Sequence, residues 1–127
     1  MFRKTRSLAL AILCAAPAFA GPVTDFEAAY DEMYAGYRTA LFATNSGNAE
    51  KSAAALDGLQ KHWESLVSTY GQTPPPQDES DPMWAETVAN VTDSITKATK
   101  TVAEGDLPDS HATLEAVREA FGALHAR

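Results

Sequence analysis

The 127-residue chain carries 17 acidic against 10 basic side chains, a formal charge of −7, and a single cysteine. That balance argues against nucleic acid and anionic membrane surfaces as partners, because both repel an acidic protein. With one cysteine, neither an intramolecular disulfide nor a cysteine-cluster metal site can form.

The chain opens MFRKTRSLALAILCAAPAFAGP. Arg3, Lys4 and Arg6 form a basic leader, Leu8 to Ala16 an apolar run too short to span a bilayer, and Ala18-Phe19-Ala20 an A-x-A cleavage site. This reads as a secretory signal peptide over residues 1–20 and implies a periplasmic destination. Lipoprotein processing would instead acylate Cys14, but Leu13 stands where that signal needs a small residue. Cleavage after Ala20 leaves residues 21–127 as one domain, without cysteine and with a formal charge of −10. Such a surface suits a cationic partner protein or metal cations.

Four helical segments are expected after the cleavage site. The first spans about Thr24 to Thr44, capped by Thr24 or Asp25, with Phe26, Tyr30, Met33, Tyr37 and Leu41 turned inward. The cluster Asn45-Ser46-Gly47-Asn48 ends it. The second runs from about Ala49 to Tyr70 on a stripe of Ala53, Leu56, Leu59, Trp63, Leu66 and Tyr70, with Gly71 as its stop. A long connection, QTPPPQDESDP, is too rich in proline and acid to be helical. Asp81-Pro82 starts the third helix, whose row Trp84, Val88, Val91, Ile95, Ala98, Val102 alternates steps of four and three. Gly105 stops it, and Asp106 and Pro108 open a fourth helix that continues nearly to Arg127. Its inward row is Leu107, His111, Leu114, Val117, Phe121 and Leu124. Short first and third connections make neighbours antiparallel, so the expected fold is all-α: an antiparallel up-down-up-down four-helix bundle.

Several chemistries lack their residues. Covalent haem attachment needs C-x-x-C-H, and a bundle di-iron centre needs Glu-x-x-His twice; the residues three before His62, His111 and His125 are Leu59, Pro108 and Gly122. No Gly-rich phosphate loop, G-x-S-x-G or H-E-x-x-H occurs, so no enzyme is expected. The remaining donors are Met33, His62, His111 and His125, with Met83 at the start of the third helix. Counted from the end holding both termini, Met33 lies ~13 Å along the bundle and His62 ~11 Å, so these two are level, while His111 lies ~23 Å along. Glu115 follows His111 by one turn on the same side. Met33, His62, His111 and Glu115 are the candidate metal ligands, for a copper- or iron-type ion. Each also has an ordinary reading: Met33 as core filler, His62 at the boundary, His125 solvated, and His111 hydrogen-bonded to Glu115, Tyr37 or the helix start. Tyr30, Tyr34 and Tyr37 share one side of the first helix, as core or as the wall of a flat ligand.

The stretches TPPPQDESDPMW and KATKTVAEGDLPDSHATLEAVREAF resemble the loop before helix three, and the helix three, tight turn and helix four, of the soluble cytochrome b562 family. The similarity covers nearly all of residues 21–127. It implies a periplasmic bundle that binds haem b for electron transfer, through a methionine early in helix one and a histidine late in helix four. By register those positions are Tyr30 and Gly122, neither of which is the family's ligand. Met33 and His125 lie one turn further along. On antiparallel helices the two shifts diverge by about 9 Å, so this pair needs an altered register. The expectation is a monomeric or dimeric, non-enzymatic bundle that holds haem b, through Met33, His125 and Tyr30, or a copper or iron ion. The rival is a ligand-free acidic adaptor or stress-response protein that docks on a cationic periplasmic partner.

Overall fold

A computed structural model describes residues 21–125, with Pro22 and His125 described by their backbone alone. The signal peptide expected over residues 1–20 therefore lies outside the described residues. Five helical segments follow one another: α1 (Pro22–Ser46), α2 (Ala49–Tyr70), α3 (Trp84–Ala103), α4 (Leu107–Ala116) and α5 (Arg118–His125). Helices α4 and α5 form one broken rod, so the architecture is a four-helix bundle. Each helix packs on the next, and α1 closes the ring against α4. Among the described residues, no helix is long and apolar enough to cross a membrane.

The turns follow local chemistry. Gly47 and Gly105 take φ of +78° and +86°, the left-handed conformation that closes a helix cheaply only without a Cβ. Asn48 then caps α2 by accepting from Lys51 N at 2.9 Å, and Asp106 caps α4 by accepting from Asp109 N at 3.1 Å. Helix α1 starts two residues earlier than expected, with Gly21 as N-cap and Pro22 in its first turn, where proline lacks no bond it could have made. Gly71 is right-handed, so α2 stops because three prolines follow and cannot extend it, not through a left-handed cap. The long connection holds one 3₁₀ turn, Pro76–Asp78, and the Asp81 side chain accepts from Met83 N just before α3 begins.

The interior is an aromatic stack at one end and a close-packed aliphatic and hydroxyl layer at the other. Phe26, Tyr30, Met33 and Tyr37 of α1 meet Leu59, Trp63 and Leu66 of α2, the whole α3 row, and Leu114, Phe121 and Leu124. Phe121 stands at the centre of the aromatic part, edge-on to Tyr37 at 4.7 Å, Trp63 at 6.0 Å and Tyr34 at 6.1 Å between ring centroids. In three rows a small residue replaces the expected inward one. Ser52, not Ala53, is buried in α2; Ala40, not Leu41, continues the row of α1; Ser110, not His111, lies in the row of α4. Ser52 donates to the Asn48 carbonyl and Ser110 to the Ala98 carbonyl, so each hydroxyl is satisfied and its small volume lets neighbouring backbones approach.

The fourth rod is not continuous. At Val117 the regular ladder is interrupted, and Val117 N bonds back to Leu114 O in a tightened turn. The same Leu114 carbonyl accepts the hydroxyl of Tyr37, so a side chain from α1 enters the ladder where the helix breaks. Phe121→Ala removes the ring shared by three other aromatics and is expected to cost about 3–5 kcal/mol of stability. Urea denaturation followed by far-UV circular dichroism measures it.

Candidate functional site

The residues singled out by sequence fall in three separate places. Met33 and Tyr30 lie inside the aromatic part of the core, both buried. Tyr30 donates its hydroxyl to the Phe121 carbonyl at 3.0 Å, directly beside Gly122. The two positions that the b562 resemblance pairs are thus neighbours across the helix pair. A tyrosine-to-backbone hydrogen bond ties Tyr30 to the residue before Gly122; Tyr30 is buried, while Gly122 is exposed and a Cβ there would meet nothing within 4 Å. Tyr34 stacks on Tyr30 with ring centroids 5.7 Å apart, Tyr37 meets Tyr34 at 5.3 Å, and Phe26 meets Tyr30 at 6.1 Å. Neither Tyr30 nor Gly122 is the methionine or histidine that the resemblance calls for at these positions. Of His125 only the backbone, at the end of α5, is described; its side chain lies outside the described residues.

His62 lies at the surface between α1 and α2, its Nδ1 3.4 Å from Glu32 Oε1. The axial level was legible: His62 is opposite the Met33 turn. But the residue that reaches it is Glu32, about 100° around the helix, because Met33 is committed to the core. The neighbouring cleft of about 120 Å³ adds Ala29, Ser65 and Leu66, none a strong metal donor.

His111 and Glu115 occupy the opposite end of the bundle. Thr44 Oγ1 donates to the Ala40 carbonyl at 2.8 Å, and its remaining lone pairs face His111 Nδ1 at 2.9 Å. The imidazole thus bridges the Thr44 hydroxyl through Nδ1 and turns Nε2 toward Glu115 Oε1, 3.6 Å away. Hydroxyl, imidazole and carboxylate stand in the order of a nucleophile triad. The Thr44 hydroxyl also has the Ala40 and Leu41 carbonyls within hydrogen-bond distance, at 2.8 and 3.2 Å, which ties it to the α1 backbone. His111 is an interhelical clip between α1 and α4. Thr44 is its partner in addition to Glu115, while Tyr37 bonds the α4 backbone instead.

Met33, His62 and His111 are therefore not brought together: the first is inside, the second at a surface midway along α1, the third at the far end. Among the described residues no group of three or more His, Cys, Asp or Glu is arranged to hold a metal ion. Sequence reasoning did not find Arg118, whose positive charge beside the Tyr37 phenol at the helix break favours its ionised form. A cation one residue after the expected inward Val117 was the available signal, but only the break aims it at α1.

Burial pushes the Tyr30 and Tyr37 phenols above the usual tyrosine range; Arg118 partly offsets the rise at Tyr37. Compared with models of known protein families, with curated proteins and with solved structures, the chain matches none.

The raised phenols set an alkaline limit. The folded protein holds these protons at pH values where the unfolded chain, titrating near pH ~10, releases them. Their contribution to stability is complete below that value and is lost as pH rises through the folded-state values. Urea midpoints measured from about pH 8 upward are expected to fall above pH ~10. The fall should be shallower in Tyr30→Phe and Tyr37→Phe, each of which also costs about 1 kcal/mol at neutral pH by removing a buried hydrogen bond.

Proposed function

We propose that this protein is a non-enzymatic, acidic interaction bundle of the periplasm, which docks on a cationic partner and has side chains rather than a cofactor at its centre. The observation that carries this reading is the bond from Tyr30 to the Phe121 carbonyl. It occupies the Tyr30 hydroxyl, beside the position that the b562 resemblance gives to the histidine, with a protein carbonyl and so supports a reading without a haem there. The aromatic residues around it are packed against one another at ordinary ring-contact distances, so the core is complete as it stands. Chemistry available to a partner then lies on the outside, where carboxylates dominate.

The charge supports the same reading. Acidic side chains spread over a rigid rod steer a cationic partner to it and fix its orientation, with the association weakening as salt is added. A partner captured by cross-linking in intact cells is expected to be cationic and to dissociate as ionic strength rises. A partner held unchanged through high salt would overturn the electrostatic part of the proposal.

The competing role, a bundle that binds haem b through Met33 and His125 or holds a copper or iron ion through Met33, His62, His111 and Glu115, is the alternative outcome of one titration. Haemin, Cu²⁺ or Fe²⁺ is added to the purified protein, and the visible spectrum and thermal midpoint are recorded. A ligand specific for the folded state must raise the midpoint. The expected result is the spectrum of free haemin and an unmoved midpoint with all three. A sharp six-coordinate Soret band, lost in the volume-conserving Met33→Leu variant, would replace the interaction protein by a register-shifted cytochrome. A midpoint raised by either metal ion would replace it by a metal-binding bundle.

A further inference from the structure

The segment around the α1–α2 turn differs in charge from the rest of the chain, including the α3–α4 turn at the same end of the bundle, which carries Glu104, Asp106 and Asp109. Residues 33–56 contain one carboxylate, Glu50, against two cations, Arg38 and Lys51, within a protein of formal charge −7. The same segment carries Phe42, which is 75% exposed although it is a large aromatic residue. Phe42 is not a stray surface residue. It forms one wall of an open cleft of about 750 Å³ between α1 and α2, floored by Ala43, Ala54 and Ala55 and closed at one end by Asn48 and Lys51. That size lies within the range of small-ligand sites, and the arrangement of an apolar trough with one polar end is typical of them.

Lys51 is the second unusual element. It stands in the first turn of α2, where the helix dipole is positive and an acidic side chain would be favoured. Among the described residues it forms no ion pair. A cation placed against the dipole beside an exposed aromatic residue breaks local preference at two points together, and such conflicts gather at sites of function. The positive end of α2 and the Lys51 ammonium both favour an anion there. A protein partner would need ~800 Å² on this face for a stable complex, far more than one aromatic and three alanines supply.

We propose that this cleft binds an amphiphilic monoanion of the fatty-acid class, with the acyl chain along Phe42, Ala43, Ala54 and Ala55 and the carboxylate at Lys51. The site is separate from the acidic surface that docks a cationic partner and does not rest on that reading. It needs no change in the core, because every residue involved already faces solvent or lies just beneath it. Occupancy would cover Phe42 and neutralise Lys51 in one step.

The test is isothermal titration calorimetry of the purified protein with sodium dodecanoate below its micelle concentration, beside dodecyltrimethylammonium as the cationic control. Saturable binding of dodecanoate and none of the control is expected. Phe42→Ser and Lys51→Glu should each weaken binding by about tenfold or more, a loss of at least ~1.4 kcal/mol. Both positions are exposed, so the variants should keep the wild-type melting midpoint, which shows that any loss is local. Absence of binding, equal binding of the two amphiphiles, or dodecanoate binding that survives both substitutions would overturn the proposal. So would sedimentation showing a dimer that Phe42→Ser dissolves, since a second copy would then cover this face.

Discussion

Two phenol hydroxyls from one helix reach across the bundle and end on backbone carbonyls of the fourth rod: Tyr37 on Leu114 and Tyr30 on Phe121. Seven residues separate the donors and seven the acceptors, so the contacts repeat at two turns. Together they fix how far α1 is slid along its neighbour. Hydrophobic burial alone is non-directional and would tolerate several slides of one apolar stripe past another. A buried hydroxyl tolerates one, because misplacement leaves both the hydroxyl and its carbonyl without a partner.

The rest of the interior follows from that register. Fixing Tyr30 and Tyr37 places Tyr34 between them and brings Phe121 against three rings at once, which completes an aromatic packing from Phe26 to Trp63. Trp63 and Trp84 then satisfy their indole N–H groups at the edge of this layer, on Thr92 Oγ1 and on the Tyr70 carbonyl. The broken fourth rod belongs to the same set of contacts. The Leu114 carbonyl accepts both the Tyr37 hydroxyl and Val117 N, and Arg118 lies near the hydroxyl at that break. A centre built in this way is stiff and already satisfied. Unspent side-chain chemistry therefore lies outside: His62 with Glu32, His111 with Thr44 and Glu115, and the cleft beside Phe42.

The axial heights of the candidate ligands were legible in the sequence, and their directions were not. Residues on antiparallel helices can be levelled by counting rise per residue, which correctly set His62 beside the Met33 turn and His111 near the opposite end. Direction around the axis changes by about 100° per residue, so an error of one position moves a side chain from core to surface. That is the difference between Met33 and Glu32 as the neighbour of His62. It is also the difference between Ser110 and His111 as the inward residue of α4. Serine carries no hydrophobic signal, yet a serine whose hydroxyl returns to a carbonyl packs inside more cheaply than a histidine that must keep two ring nitrogens paired. Phe42 stood outside the expected row ending at Leu41, and only its neighbours across α1 and α2 show it as the wall of a cleft.

By itself, the sequence determined the four-helix architecture, the cleanest inward row in α3, the glycine turns at Gly47 and Gly105, and the acidic character of the surface. Each of these depends on local patterning, on single-residue conformational preference or on simple counting. Only the tertiary structure decided the break at Val117, the burial of Ser52 and Ser110, the capture of two tyrosine hydroxyls by distant carbonyls, and the separation of Met33 in the core from His62 at the surface. These depend on which backbone atoms of one helix come opposite which side chains of another. Residues such as Tyr37 and Leu114, 77 positions apart, meet only after the helices have packed.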